Sequence, residues 1–167
     1  RFLRKREASK GQSPGALIFI GTQKMDSVRA RVIDYDAEIL TDQELSDIKD
    51  GSHFRNTDTV TWLNINGLHD IEKIRTVGEA FDLHPLVLED ILNTGQRPKI
   101  EEFDSYIFIV LKMIRFDAKT EMVFNEQLSI VLGDKFLLTF QEQTGDVFEP
   151  VRERIRRPKS RLRGSGT

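Results

Sequence analysis

The chain has 167 residues, enough for one hydrophobic core, and a domain of this size buries about 70% of the surface that its unfolded chain exposes. It contains no cysteine, which excludes disulfide frameworks, thiolate zinc sites and thiol nucleophiles. No run approaches the roughly 18 apolar residues that a membrane-spanning helix needs. We therefore expect a single soluble domain.

The formal net charge of −2 conceals two oppositely charged regions. Residues 26–104 hold 18 acidic and 8 basic residues, whereas residues 151–163 hold 7 basic residues and 1 acidic residue. The first region would attract cations and the second would attract anions, although both patterns are also typical of ordinary solvated faces. No aromatic residue interrupts the basic region, so we expect no nucleic-acid partner.

Residues 1–15 are basic and then rich in Gly, Ser and Pro, which predicts a flexible basic arm. Segments rich in β-branched and aromatic residues follow and predict strands, with a hairpin turn at Gly133-Asp134. The Arg97-Pro98 pair forces extended backbone after it. The predicted strands lie at residues 16–20, 28–35, 59–65, 99–103, 105–116, 123–132 and 135–140, with a turn near residues 22–26 between the first two.

Helix-start signals occur at three further places. Thr41 is followed three residues later by Glu44, the spacing of a capping box, which predicts a short surface helix over residues 41–49. Asp70 precedes a segment with helical apolar periodicity and predicts a helix that begins immediately after it. Residues 146–167 are predicted to form a helical tail, supported by opposite charges three and four residues apart.

The remaining helix is predicted over residues 85–94. Pro85 fits the first turn of a helix, and Gly95 can adopt the left-handed conformation that ends one. His84, immediately before Pro85, is predicted to cap the helix. Five of its residues are large and apolar, which favours a helix wedged between layers of the fold.

Glu89 and Asp90 are adjacent on this helix and therefore diverge by about 100°. They cannot both chelate one small ion in a compact site, but they can serve two directions. The simplest interpretation is a solvated acidic pair. A carboxylate near the C-terminal end of a helix is disfavoured by the macrodipole, which favours a positive partner for at least one of them.

The order of elements predicts an α/β domain with a mixed β-sheet sandwiched between helical layers, over residues 16–145. We expect the core to include Trp62, Ile65, Phe108, Val110 and Leu138. No nucleotide-binding, zinc-protease or serine-hydrolase motif is present, and the three histidines lie in separate segments without ligand spacing. We therefore expect that the protein is not an enzyme.

Several segments, in this order and spacing, resemble the cytoplasmic amino-terminal domain of the CorA magnesium and cobalt channels. The resemblance covers nearly the whole chain. The segments are Thr61-Trp62-Leu63-Asn64-Ile65, His84-Pro85-Leu86, Asp90-Ile91-Leu92, Gln96-Arg97-Pro98-Lys99, Tyr106 to Lys112, Glu126-Gln127 and Gly145-Asp146-Val147-Phe148.

The resemblance implies a homopentameric ion channel whose domain hangs as part of a funnel on the cytoplasmic side of the cell membrane. It also implies that Mg²⁺, bound between neighbouring subunits, holds the pore shut. The sensing carboxylate matches Asp90, and Glu89 contributes to a second ion position nearby. Co²⁺ and other divalent cations are possible as well, because hard oxygen ligands accept all of them.

The family pattern also includes a stalk helix, two membrane helices and a Gly-Met-Asn signature, which the sequence to Thr167 does not contain. Contact with the membrane is therefore expected only through helices outside this sequence, and the ligand facing Asp90 is expected on the stalk of the next subunit. The alternative interpretation is a stand-alone soluble module whose acidic face and basic tail bind other proteins.

Overall fold

The computed structural model of the protein describes residues 17–164. The strands are β1 Arg29–Tyr35, β2 Leu40–Leu45, β3 Val60–Asn66, β4 Lys99–Glu102, β5 Tyr106–Asp117, β6 Met122–Gly133 and β7 Phe136–Gln141. The helices are α1 Ile71–Ala80, α2 Pro85–Leu92 and α3 Glu149–Arg156, with 3₁₀ segments at Ile48–Asn56 and Arg161–Gly164. Residues 1–15, predicted as a flexible arm, lie outside the described residues.

The seven strands form one sheet in the order β2-β1-β3-β7-β6-β5-β4. Neighbouring strands are antiparallel, except that β3 and β7 run parallel, from the Thr61–Phe136 pair to the Asn66–Gln141 pair. The predicted mixed sheet is therefore confirmed, with its single parallel pair at the centre.

Helices cover both faces of the sheet. Successive residues of a strand point to opposite faces, so neighbouring residues of β3 contact helices on different sides. Leu63 on β3 belongs to the larger apolar cluster with α1 and α2, whereas Trp62, beside it, belongs to a smaller cluster with Ile155 of α3. The predicted sandwich of a sheet between helical layers is confirmed. The predicted core residues are all 3% exposed or less: Trp62, Ile65, Phe108, Val110 and Leu138.

The helix predicted over residues 41–49 is wrong. Thr41 lies in β2 and pairs with Asp34 of β1, after a tight turn in which the Asp36 carboxylate accepts two backbone N–H groups at 2.6 and 2.7 Å. Asp47, not Thr41, caps the helical segment that follows, and that segment is 3₁₀. Pairing with β1 satisfies the backbone of β2, and this tertiary contact outweighs the local helix signal.

The strand predicted at residues 16–20 is also wrong, because residues 17–20, the part that the structure describes, form no strand. Its only sheet-like contact is an isolated bridge between Ile20 and Asn93, with N–H···O bonds of 2.9 Å from Ile20 to Leu92 and 3.0 Å from Thr94 to Ile20. The segment therefore binds the C-terminal end of α2, where helix carbonyl groups have no partner inside the helix.

Candidate metal site at the end of helix α2

Helix α2 begins as the sequence predicts and ends two residues earlier, at Leu92. The Nδ1 atom of His84 accepts a hydrogen bond from the Leu86 N–H at 3.2 Å, and Pro85 occupies the first turn. A Cβ atom at Gly78 would lie 2.5 Å from Leu88 Cδ1, so α1 and α2 approach each other closely. The buried residues of α2 are Val87, Leu88, Ile91 and Leu92. This packing gives the carboxylates of its last turn a rigid base.

The Asp90 side chain is engaged by two side chains of its own chain. Lys99 Nζ lies 2.5 Å from Asp90 Oδ2, and Gln96 Nε2 donates a short hydrogen bond to Oδ1. The Asp90 side chain is 19% exposed. The positive partner favoured by the helix dipole is therefore present, and the interpretation of Asp90 as a solvated carboxylate is incomplete.

Lys99 is the first residue of β4, immediately after the Arg97-Pro98 pair. Its ammonium group also lies 2.8 Å from Glu101 Oε1 and 5.5 Å from the centre of the Phe108 ring. Burial disfavours the charged form, but the hydrogen bonds with Asp90 and Glu101 outweigh burial and raise the pKa of Lys99. Lys99 is therefore a positively charged neighbour of the candidate ligand.

Gln127 fastens the end of α2 to β6 and is fully buried. Its Nε2 atom donates to the Asp90 backbone carbonyl at 3.2 Å, and its Oε1 atom accepts from the Gln96 N–H at 3.2 Å. Lys112 Nζ donates to the same Oε1 atom at 3.2 Å and to the Thr94 carbonyl at 2.9 Å. These contacts fix the backbone around Asp90, so its carboxylate has a defined position.

Sequence reasoning missed the contacts that Lys99, Gln96 and Gln127 make with Asp90. A signal existed for Gln127, because it is an amide side chain at the start of an otherwise apolar strand segment and needs partners when buried. The pairing of Lys99 with Asp90 depends on the position of β4 relative to α2. No local pattern in the sequence encodes that position.

Glu89 precedes Asp90 and is partly exposed. The contacts of Asp90 turn it towards β4, and Glu89 lies about 100° away around the helix. Helix geometry thus places the two side chains on different sides of α2.

The carboxylates at this site suit a hydrated ion shared with a neighbouring molecule better than an ion enclosed by this chain alone. Within residues 17–164, no group of three or more His, Asp or Glu side chains could hold a metal ion. Mg²⁺ prefers six oxygen ligands, keeps several waters and is commonly held by one or two carboxylates. Asp90 and Glu89 fit that role provided that other ligands come from water or from a neighbouring molecule.

Part of the positive charge of the basic region, residues 151–163, is neutralised within the fold. Three of its arginines bind acceptors of the same chain, which leaves less positive charge for an external anion than the sequence suggests. The acceptors are Asp146 and Glu149 for Arg152, Asp42 and Glu149 for Arg156, and the Asp36 carbonyl for Arg163.

The curated relatives of this chain include metal ion transport proteins. The chain is 46% identical over 149 residues to the cobalt/magnesium transport protein CorA of Thermotoga maritima, covering 89% of this chain and 42% of that protein. It is 32% identical over 94 residues to the putative metal ion transporter YfjQ of Bacillus subtilis, covering 56% of this chain and 28% of that protein. The chain therefore spans less than half the length of these relatives.

The fold also matches solved structures. The soluble domain of CorA from Methanocaldococcus jannaschii superposes with a TM-score of 0.54 at 16% identity, covering 80% of this chain and 48% of that one. The ZntB cytoplasmic domain from Vibrio parahaemolyticus superposes with a TM-score of 0.53 at 13% identity, covering 75% of this chain and 49% of that one. At these identities the match concerns the fold alone.

Among residues 17–164, no helix combines the length and apolar character needed to cross a bilayer. Residues 57–166 match the family model described as CorA-like Mg²⁺ transporter protein, and this match covers most of the chain. On that match, this protein belongs to the CorA-like Mg²⁺ transporter family.

Proposed function

We propose that this domain is the cytoplasmic metal-sensing part of a divalent-cation channel for Mg²⁺ or Co²⁺. Binding of ions at Asp90, between neighbouring copies in a homopentamer, favours the closed channel. Family membership supports this proposal, and the relative with 46% identity is a cobalt/magnesium transport protein. The observation that carries it is the Asp90 carboxylate, which is partly exposed and fixed at the end of a packed helix.

The sensing mechanism is electrostatic. Two carboxylates about 4 Å apart repel by about 4 kcal/mol at an effective dielectric constant near 20, so facing acidic groups would separate two copies. A divalent ion between them reverses the sign of the interaction. Because the ion binds the closed assembly more tightly, it shifts the population towards closure, and closure raises the affinity for the ion in turn.

Glu89 has an auxiliary role in this proposal. It lies on another side of α2 and would contribute to a second ion position close to the first. Mg²⁺ sheds its water reluctantly, so binding at both positions is weak and reversible, which suits the sensing of an abundant ion.

A titration of the ¹⁵N-labelled protein with Mn²⁺ tests the site. Mn²⁺ accepts the same oxygen ligands as Mg²⁺ and broadens the NMR signals of nearby amides. We expect broadening centred on residues 89–94, strongly reduced in Asp90→Asn and less reduced in Glu89→Gln. Asp58→Asn is the matched control, because Asp58 is fully exposed and distant in sequence. Broadening that is unchanged in Asp90→Asn would remove Asp90 from the sensor.

A membrane-inserted channel containing this domain gives a second test. There, Mg²⁺ should protect the wild type from proteolysis, and Asp90→Asn should lose part of that protection while the fold is retained. A mutant with an unaltered Mg²⁺ dependence would refute the role in gating.

A stand-alone interaction module is the second candidate, and one observation favours it. Large apolar side chains at the end of the β5–β6 hairpin are exposed: Ile114 by 73%, Phe116 by 62% and Val123 by 63%. Exposed apolar clusters of this kind often contact other proteins. Absence of Mn²⁺ broadening near Asp90, in the experiment above, would favour this candidate.

A further inference from the structure

The negative charge of Asp90 is already matched by a cation of the same chain. The Lys99 ammonium lies 2.5 Å from Asp90 Oδ2 and donates a charge-assisted hydrogen bond to it. A divalent ion that binds this carboxylate therefore binds a group that is already part of an ion pair.

The position of Lys99 is set by the sheet. Its backbone pairs with Val110 across β4 and β5, and its ammonium is held between Asp90, Glu101 and the face of Phe108. The Lys99 side chain is 27% exposed, so the ammonium can turn towards water without unfolding its surroundings. Glu101 is 43% exposed and can keep the ammonium after Asp90 releases it.

The second lysine near this site is placed differently. Lys112 Nζ binds the Thr94 carbonyl and the Gln127 side chain. It stabilises the end of α2 through these two contacts. Lys99, in contrast, binds the Asp90 carboxylate directly, so its position conflicts with an ion bound at Asp90 Oδ2.

An ammonium group and a divalent ion carry charge of the same sign and repel strongly at the separation that one carboxylate imposes. Inner-sphere binding at Asp90 Oδ2 therefore requires that Lys99 move away. We propose that Lys99 is a built-in competitor of the sensed cation: it occupies Asp90 when divalent ions are scarce and is displaced when they are abundant. This inference rests on the proposed function and adds the residue that sets the ion concentration at which the sensor responds.

Lys99→Met tests the competition, because methionine keeps an unbranched apolar side chain over Phe108 and removes the charge. The probe is Mn²⁺, with its half-saturating concentration read from the broadening of amides 89–94. We expect this concentration to fall by about tenfold to a hundredfold, the effect of removing one hydrogen bond between charged groups. Lys135→Met, which removes an equal charge from the exposed pair with Asp58, should leave the concentration unchanged.

A measurement on the wild type keeps the inference testable if Lys99→Met does not fold. Lys99 Nζ lies 5.5 Å from the centre of the Phe108 ring, so the adjacent Hε protons should show ring-current shifts. As Mg²⁺ saturates the site, these shifts should decrease together with the change in the Asp90 side-chain signal.

The outcomes separate the two proposals. Ion binding at Asp90 with an unchanged half-saturating concentration in Lys99→Met, or with unmoved Lys99 Hε signals, would overturn the competitor role and leave the proposed function standing. Absence of ion binding at Asp90 in both the wild type and Lys99→Met would overturn both.

Discussion

Asp146→Asn is a strongly destabilising change that the structure predicts outside the candidate site. Asp146 accepts two hydrogen bonds from the Arg152 guanidinium, one of them at 2.7 Å, and another from the Phe148 N–H at 2.9 Å. The two side chains are only 5% and 7% exposed. The guanidinium also lies 4.8 Å from the ring of Trp62. This clamp fastens α3 to the sheet.

The cost of the substitution follows from the burial of the pair. Removing one partner of a buried ion pair typically costs 3 to about 5 kcal/mol, because the other charge stays buried and unpaired. Arg152 would keep Glu149 at 3.3 Å, and Glu149 is 52% exposed, so we take the lower end, about 3 kcal/mol. Asparagine also has one acceptor oxygen where aspartate has two, so its NH₂ group would face an N–H donor of Arg152 and one hydrogen bond would be lost.

Urea denaturation at pH 7 measures this cost. Trp62 is the only tryptophan and adjoins Arg152, so its fluorescence reports on the clamp. With an m-value of about 2 kcal/mol/M, the midpoint should fall by about 1.5 M in Asp146→Asn. Asp58→Asn, at an exposed ion pair, should change the free energy of unfolding by less than about 0.5 kcal/mol. A loss below about 1 kcal/mol in Asp146→Asn would refute the clamp.

Burial raises the pKa of Asp146, but hydrogen bonds from Arg152 and Phe148 outweigh burial and hold the pKa below its ordinary value of 3.8. The difference in unfolding free energy between wild type and Asp146→Asn should therefore be complete above pH 3.8 and disappear as the pH falls through the lower pKa of the folded protein. Urea midpoints measured across this pH range test the prediction. Phe108→Ala, at a fully buried ring, should cost about 3–5 kcal/mol in thermal or urea unfolding, and a loss under 1 kcal/mol would contradict the described core. The protein by itself should be mostly monomeric at micromolar concentration, and a stable pentamer in light scattering would contradict this.

The sequence was most informative where a local interaction decides the structure. Asp70 accepts the Lys73 N–H at 3.3 Å and starts α1, and His84 starts α2, both as their positions predict. Thr41 shows the limit, because its capping-box spacing is real but lies in a strand that pairs with β1. Short segments with weak local preference take the structure that their neighbours in space impose.

The sequence likewise predicts one part of the candidate site and not the other. The place of Asp90 near the end of a packed helix could be predicted from Pro85 and the apolar residues around it. Its ion pair with Lys99 could not, because nine residues and a change of direction separate them, and the register of β4 on β5 sets the reach of the lysine. Long-range pairing of charges is a property of the assembled sheet.

The single parallel pair in the sheet has a consequence for folding. Strands β1 to β3 are neighbours in sequence, as are β4 to β7, but β3 joins β7 across 75 residues. Closing such a long loop is slow compared with forming a hairpin, and it must precede any gain from the pairing. During synthesis, β3 is an edge strand with open N–H and C=O groups and apolar side chains until β7 has been made. Pairing of this edge with another nascent chain, and hence aggregation, competes with folding most strongly in that interval.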